Sequence, residues 1–201
     1  MLIDAWVGLA PDAAFGQAQI RQFGNGSVVP AVVVGPSSAF ARWDAVAQQL
    51  RGQLQETPAP LAAAKRLGER YEGRSARELV MAIRRFVTSN IRYVPDGRVD
   101  AWADPAETAA RGTGDCEDQA ILGLYVALAA GVPADKAAVA MGFDRRGNQH
   151  AILLVVGRGG RLWMFDEADP RSPALSRSGF SPRLLGFLDA VGFPVTRLPR
   201  P

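Results

Sequence analysis

The sequence predicts an α+β domain in which a helix starting at Cys116 packs on an antiparallel β-sheet. Two observations predict this. Residues 116–130 form a nearly continuous apolar segment closed by Gly131-Val132-Pro133, with glycine just past the helix end and proline beyond it. Three β-like runs follow, over residues 137–143, 149–156 and 161–166, separated only by residues 144–148 and 157–160. Such short connections join antiparallel neighbours, so the runs form a meander.

The remaining elements follow in order. Residues 1–38 are punctuated by glycine and proline and hold one β-like run, 28–34. They read as an N-terminal arm or a short edge strand, because Pro30 cannot donate to a central ladder. The domain proper spans 39–201. Residues 39–53 place Phe40, Trp43, Val46 and Leu50 on one helical face. Pro58 and Pro60 break the chain, and 61–71 forms a second, short helix. Ser75 with Glu78 three residues on makes a capping box. The helix it opens turns Leu79, Ile83, Phe86 and Val87 inward and ends near Asn90. Pro95-Asp96-Gly97 is a turn. Residues 98–115 read as an ordered loop. The tail, 168–201, is rich in proline and arginine, with one helix over 182–191.

Composition bounds the function. With 48% hydrophobic residues, 201 residues can bury a core. The net charge is +3, and only Lys65 and Lys136 are lysines, so the basic count is almost all arginine. The arginines are scattered along the chain and form no stripe interleaved with aromatics. The sequence therefore argues against nucleic acid as a partner, and the arginine surplus reads as compositional bias. No apolar run reaches the ~18 residues of a membrane span. The start of the chain has an early acid and no Lys or Arg before Arg21, unlike a signal peptide. A single cysteine closes no internal disulfide.

That cysteine and the single histidine are the chemically informative residues. Cysteine acts as a nucleophile when it is a thiolate, and its ordinary pKa of about 8.5 keeps it mostly protonated at neutral pH. A helix N-terminus and an imidazolium partner both favour the thiolate. Gly112-Thr113-Gly114 followed by a helical pattern puts Cys116 at such an N-terminus. His150 heads the second strand of the meander, and Asp166 ends the third. A hairpin turning at 157–160 pairs 150 with 166, giving the imidazole an orienting carboxylate. An oxyanion would take the Cys116 backbone N–H and one further donor, Trp102 or Gln149. Asp115 and Glu117 flank the nucleophile and oppose its ionisation, which predicts a bound cation or a basic neighbour. They read equally as N-terminal acids complementing the helix dipole, the reading favoured for Asp118.

The run Gly112-Thr113-Gly114-Asp115-Cys116-Glu117-Asp118-Gln119-Ala120, preceded by Trp102-Ala103-Asp104-Pro105-Ala106-Glu107, resembles the bacterial transglutaminase-like cysteine proteinases. These include periplasmic enzymes that clip adhesins from the cell surface. Gly131-Val132-Pro133-Ala134, His150-Ala151 and Trp163 to Asp166 are similar to the wider transglutaminase-like superfamily, and Ala39 to Trp43 to the family's early helix. The resemblance covers roughly residues 39–167. It implies a papain-like α+β fold with Cys116 as nucleophile, His150 as base and Asp166 as orienter. It also implies a calcium site including Asp115 and Glu117, and a periplasmic location. The family often carries asparagine after the triad aspartate; here Glu167 stands there.

The expected function is a cysteine peptidase acting on a protein or peptide through a thioester, with no cofactor required by the chemistry and calcium as the candidate ion. The alternatives are acyl transfer from glutamine or amide hydrolysis, a non-catalytic peptide-binding module, and a calcium-sensing module.

Overall fold

The computed structural model describes residues 21–30, 39–97, 100–171, 174–189 and 191–195. The expected 28–34 run is seen as far as Pro30; residues 31–34, and the chain start read for a leader, lie outside the described residues.

The chain builds β1 (Arg21–Phe23), β2 (Gly26–Pro30), α1 (Ala39–Gln55), α2 (Ala62–Arg70), α3 (Ala76–Asn90) and β3 (Arg92–Tyr93). It continues through α4 (Pro105–Arg111), β4 (Thr113–Gly114), α5 (Cys116–Ala129), β5 (Ala137–Phe143), β6 (Gln149–Val156), β7 (Leu162–Phe165), β8 (Ser181–Gly186) and β9 (Val191–Val195). Seven strands form one antiparallel sheet in the order β1-β2-β9-β8-β5-β6-β7. β3 and β4 form a separate parallel pair.

The meander β5–β6–β7 lies where the sequence puts it. α5 packs on one face of the sheet, where Ile121, Leu124 and Tyr125 meet Val139, Leu153 and Phe165. The expected core stripe of Leu122, Val126 and Ala129 is too narrow. Every residue from Asp118 to Ala127 is buried, because α1, α2 and α3 cover the sides of α5 that the sheet leaves open. A helix covered all round is apolar all round. The other sheet face is closed by Ile152, Leu154, Met164, Phe180 and Phe187.

Two expectations are corrected. Among the described residues of 182–191 no helix forms, and that stretch supplies most of β8 and the start of β9. Leu184 joins the helix-side core and Leu185 the opposite one. A strand buried on both faces reads as a plain apolar run, which periodicity cannot separate from a buried helix. Pro182 is tolerated because it sits beside a bulge in the β5–β8 ladder. Secondly, the arm or edge strand expected early in the chain is a hairpin within the main sheet. β1 is its edge, and β2 lies between β1 and β9. The described β1–β2 ladder ends at the Arg21–Val28 pair, and Pro30 pairs with Gly192 of β9.

Within the expected loop, residues 105–111 form α4. Asp104 and Glu107 cap it reciprocally, Pro105 occupies the first turn, and Gly112 ends it at φ 61°. The Asp-Pro-x-Glu pattern is a helix-start signal in its own right.

Candidate active site

Cys116 is the first residue of α5, after Asp115 at the N-cap. The β3–β4 ladder fixes this corner: Tyr93 pairs with Gly114, and Val94 N–H donates to Gly114 O at 3.1 Å. Gly114 admits no side chain, since a Cβ there would stand 2.6 Å from the Cβ of Asp118. Asp118 itself does more than complement the dipole. Its buried carboxylate accepts from Ala103 N–H at 2.7 Å and from Arg111 at 3.3 Å, tying the 100–104 loop to the helix. Burial pushes its pKa up to about 6.

His150 Nε2 lies 2.9 Å from Asp166 Oδ1. The ladder pairs Leu153 with Phe165, which carries Asp166 opposite Ile152 rather than opposite His150. The contact is therefore diagonal, within reach of a long side chain. Burial would lower the imidazole pKa, but the Asp166 hydrogen bond and the Glu167 charge outweigh it and hold the pKa above its usual value. The Ala151 N–H, next along β6, hydrogen-bonds the Cys116 sulfur and favours its charged form. Thus β6 carries His150, paired with Asp166, next to Ala151, which meets the Cys116 end of α5.

The thiol is held protonated here. Sγ donates to Glu117 Oε2 at 3.1 Å. Burial, then the Glu117 charge and hydrogen bond, push the Cys116 pKa far up. Glu117 rises to about 9, from burial first, then its hydrogen bond with Asp100 and the charge of Asp115. Burial also raises Asp115. Carboxylate oxygens of Asp96, Asp115 and Glu117 lie within 4.8 Å of one another. Asp115 is 6% exposed, and its Oδ1 is buried without a hydrogen-bond partner. An orphaned carboxylate oxygen among three other acids, counting Asp100, fits a hard cation that takes oxygen ligands.

The two candidate oxyanion donors are placed differently. Trp102 Nε1 donates to Asp100 Oδ1 at 3.2 Å, and the Arg42 guanidinium lies over its ring. Gln149 is exposed at the start of β6, opposite Phe143. The described contacts link neither to Cys116.

Asp96, Asp100 and Tyr93 escape sequence reading as site residues. Nothing local marks them; the parallel ladder β3–β4 brings their segment beside Cys116. Tyr93, half exposed, is pushed up to about 12 by burial and the neighbouring Cys116 charge. Glu167, visible only as a departure from the family pattern, lies 3.9 Å from His150 Nε2 with its Oε2 buried and without a hydrogen-bond partner. Burial, then the Asp166 charge, bring it up to about 7 despite the His150 charge that opposes them.

Among curated proteins, none matches the chain. Solved structures do. Legionella pneumophila LapG is 18% identical with a TM-score of 0.58, over 73% of this chain and 87% of LapG. Its calcium-bound form is 19% identical at 0.57, with the same coverage. Its EGTA-treated form is 19% identical at 0.57, over 73% and 84%. At such identity the likeness shows a shared fold, an α+β core with the cysteine-bearing helix on an antiparallel sheet. The model of the transglutaminase-like superfamily matches residues 61–166, more than half of the chain, and the chain belongs to that superfamily.

Proposed function

We propose that the protein is a cysteine peptidase with Cys116 as nucleophile, His150 as general base and acid, and Asp166 as the orienting carboxylate. The observation that carries this is the His150–Asp166 contact at 2.9 Å, on the strand whose Ala151 N–H meets the Cys116 sulfur. Asp166 occupies Nε2 and leaves Nδ1 to take the thiol proton.

The sulfur then attacks the peptide carbonyl carbon, and its proton moves to His150. The oxyanion takes the Cys116 backbone N–H. Trp102 or Gln149 supplies a second donor, and the Trp102 indole N–H is held by Asp100. His150 returns the proton to the leaving nitrogen as the C–N bond breaks, giving a thioester and a free amine. Water, losing a proton to His150, attacks the thioester; the C–S bond breaks and the thiol is restored.

The thiol's hydrogen bond to Glu117 must break before His150 can take its proton. Asp96, Asp115 and Glu117 would hold a calcium ion, with Asp100 beside them. Bound there, the ion supplies positive charge that keeps these carboxylates ionised and offsets their repulsion of a thiolate. The same family resemblance favours the periplasm. No helix among the described residues is long and apolar enough to cross a membrane.

The test is the rate of Cys116 alkylation against pH, with cleavage of a protein substrate. Wild type should alkylate fast near neutrality in calcium and slowly in chelator, and Cys116→Ala should not cleave. An ordinary thiol titration, or a fully active Cys116→Ala, would end the proposal. Adding a primary amine separates peptidase from acyltransferase: a peptidase releases only free acid.

A further inference from the structure

Seven of the arginines that look scattered in the sequence line one side of the fold. Two neighbouring concavities of about 480 and 460 Å³ share Arg77. The first is lined by Arg70, Arg74, Arg77 and Arg85 with Tyr71, where α2 turns into α3. The second adds Arg161, Arg171 and Arg177 around Trp163, at the β7 edge of the sheet.

Little on the protein neutralises this surface. Among the described residues, Glu78 is the one acid lining either concavity, and its carboxylate is engaged by Ser75 at 2.6 Å and 3.1 Å. Arg171 is held by Asp169, through two bonds of 3.0 Å. Among the described residues, Arg70, Arg74, Arg77, Arg85, Arg161 and Arg177 form no salt bridge. Arg77 and Arg161 nevertheless converge on one ring, with Cζ atoms 5.8 and 5.9 Å from the Trp163 centroid. The ring attracts both cations, yet two guanidiniums brought together repel unless an anion joins them.

We propose that this surface binds an acidic segment of a polypeptide. Guanidinium forks match carboxylates bidentately, and paired concavities suit side-chain carboxylates spaced along a chain. The two concavities hold one aromatic ring each, Tyr71 and Trp163, with no run of rings on which successive bases could stack, which disfavours single-stranded nucleic acid. The surface presents no apolar wedge for a bilayer. The second concavity includes Arg171, five residues past Asp166, so a bound segment lies beside the loop that follows the triad carboxylate. The inference does not depend on catalysis.

Fluorescence anisotropy of a labelled oligoglutamate peptide tests it. Wild type should bind, more weakly as salt rises. Arg77→Glu/Arg161→Glu should bind at least about tenfold more weakly, while its far-UV spectrum and Cys116 alkylation stay unchanged. Arg77→Gln/Arg161→Gln should show a smaller loss in the same direction. Arg146→Glu/Arg183→Glu, with the same change in net charge elsewhere, should bind as wild type does. Absence of peptide binding, an equal loss in that control, or tighter binding to duplex DNA or to anionic phosphatidylglycerol vesicles would each overturn the proposal.

Discussion

His150 and Asp166 meet diagonally across the β6–β7 hairpin, Nε2 to Oδ1 at 2.9 Å, although the ladder sets Asp166 opposite Ile152. The backbone alone does not make this contact, so it depends on the carboxylate. Asp166→Asn should lower kcat/KM about 10²- to 10⁴-fold, because a carboxamide cannot support the imidazolium. Steady-state kinetics checks the loss, and KM should change little.

Glu167 acts on the same imidazole from 3.9 Å. Its charge raises the pKa of both His150 and Cys116. Removing it lowers both, so Glu167→Gln should move both limbs of the alkylation–pH profile to lower pH. A profile unchanged from wild type would mean that Glu167 is not ionised near the site at all.

Stability should fall as pH rises in the metal-free protein. Asp118 at about 6, Glu167 at about 7 and Glu117 at about 9 all lie above their ordinary values of 3.8, 4.5 and 4.5. Each stays protonated in the fold at a pH where the unfolded chain has already ionised. The folded state then binds more protons, and stability drops from the ordinary carboxylate range up through those values. His150, raised above 6.5, adds stability that is present below its unfolded pKa and is also lost as pH rises. Thermal melts in chelator should give a Tm that declines steadily from about pH 5 to 9; a rising Tm would refute the direction.

Calcium should reverse most of that decline. At a hundredfold excess over Kd, a ligand confined to the folded state adds about 2.7 kcal/mol. Asp115→Asn, which removes the charge behind the orphaned Oδ1, should weaken calcium binding at least about tenfold by calorimetric titration.

Gly68 holds α2 against α5. A Cβ there would come 2.7 Å from Ala129 Cβ and 2.8 Å from Val126 O, and backbone cannot step aside cheaply. Gly68→Ala should destabilise by about 1–3 kcal/mol, despite a helix-propensity gain of about 1 kcal/mol, as read by urea unfolding.

What the sequence reveals divides along physical lines. The capping box at Ser75 and Glu78, the stop at Gly131 and the β5–β6–β7 meander are local, set by caps, turns and short connections, and they read directly. β8 is not local: Leu184 and Leu185 face two different cores, and only the assembled sheet distinguishes that pattern from a helix. In the site, one cysteine and one histidine in a recognisable run leave little choice of candidates. The hairpin register comes out two residues off, because side-chain reach, not strand pairing, makes the contact. Asp96 and Asp100 join Asp115 and Glu117 through a two-residue parallel ladder, and no pattern along the chain announces such a pairing.

The seam between β2 and β9 places Val28 opposite Pro194, so an early strand of the sheet finds its neighbour in the last described one. On the ribosome, the chain must emerge through Val195 before this seam can close. Until then the β1–β2 hairpin presents an open edge, which is a template for pairing with another chain. Newly made molecules crowded on one messenger are therefore exposed to strand exchange between neighbours until β9 has been made.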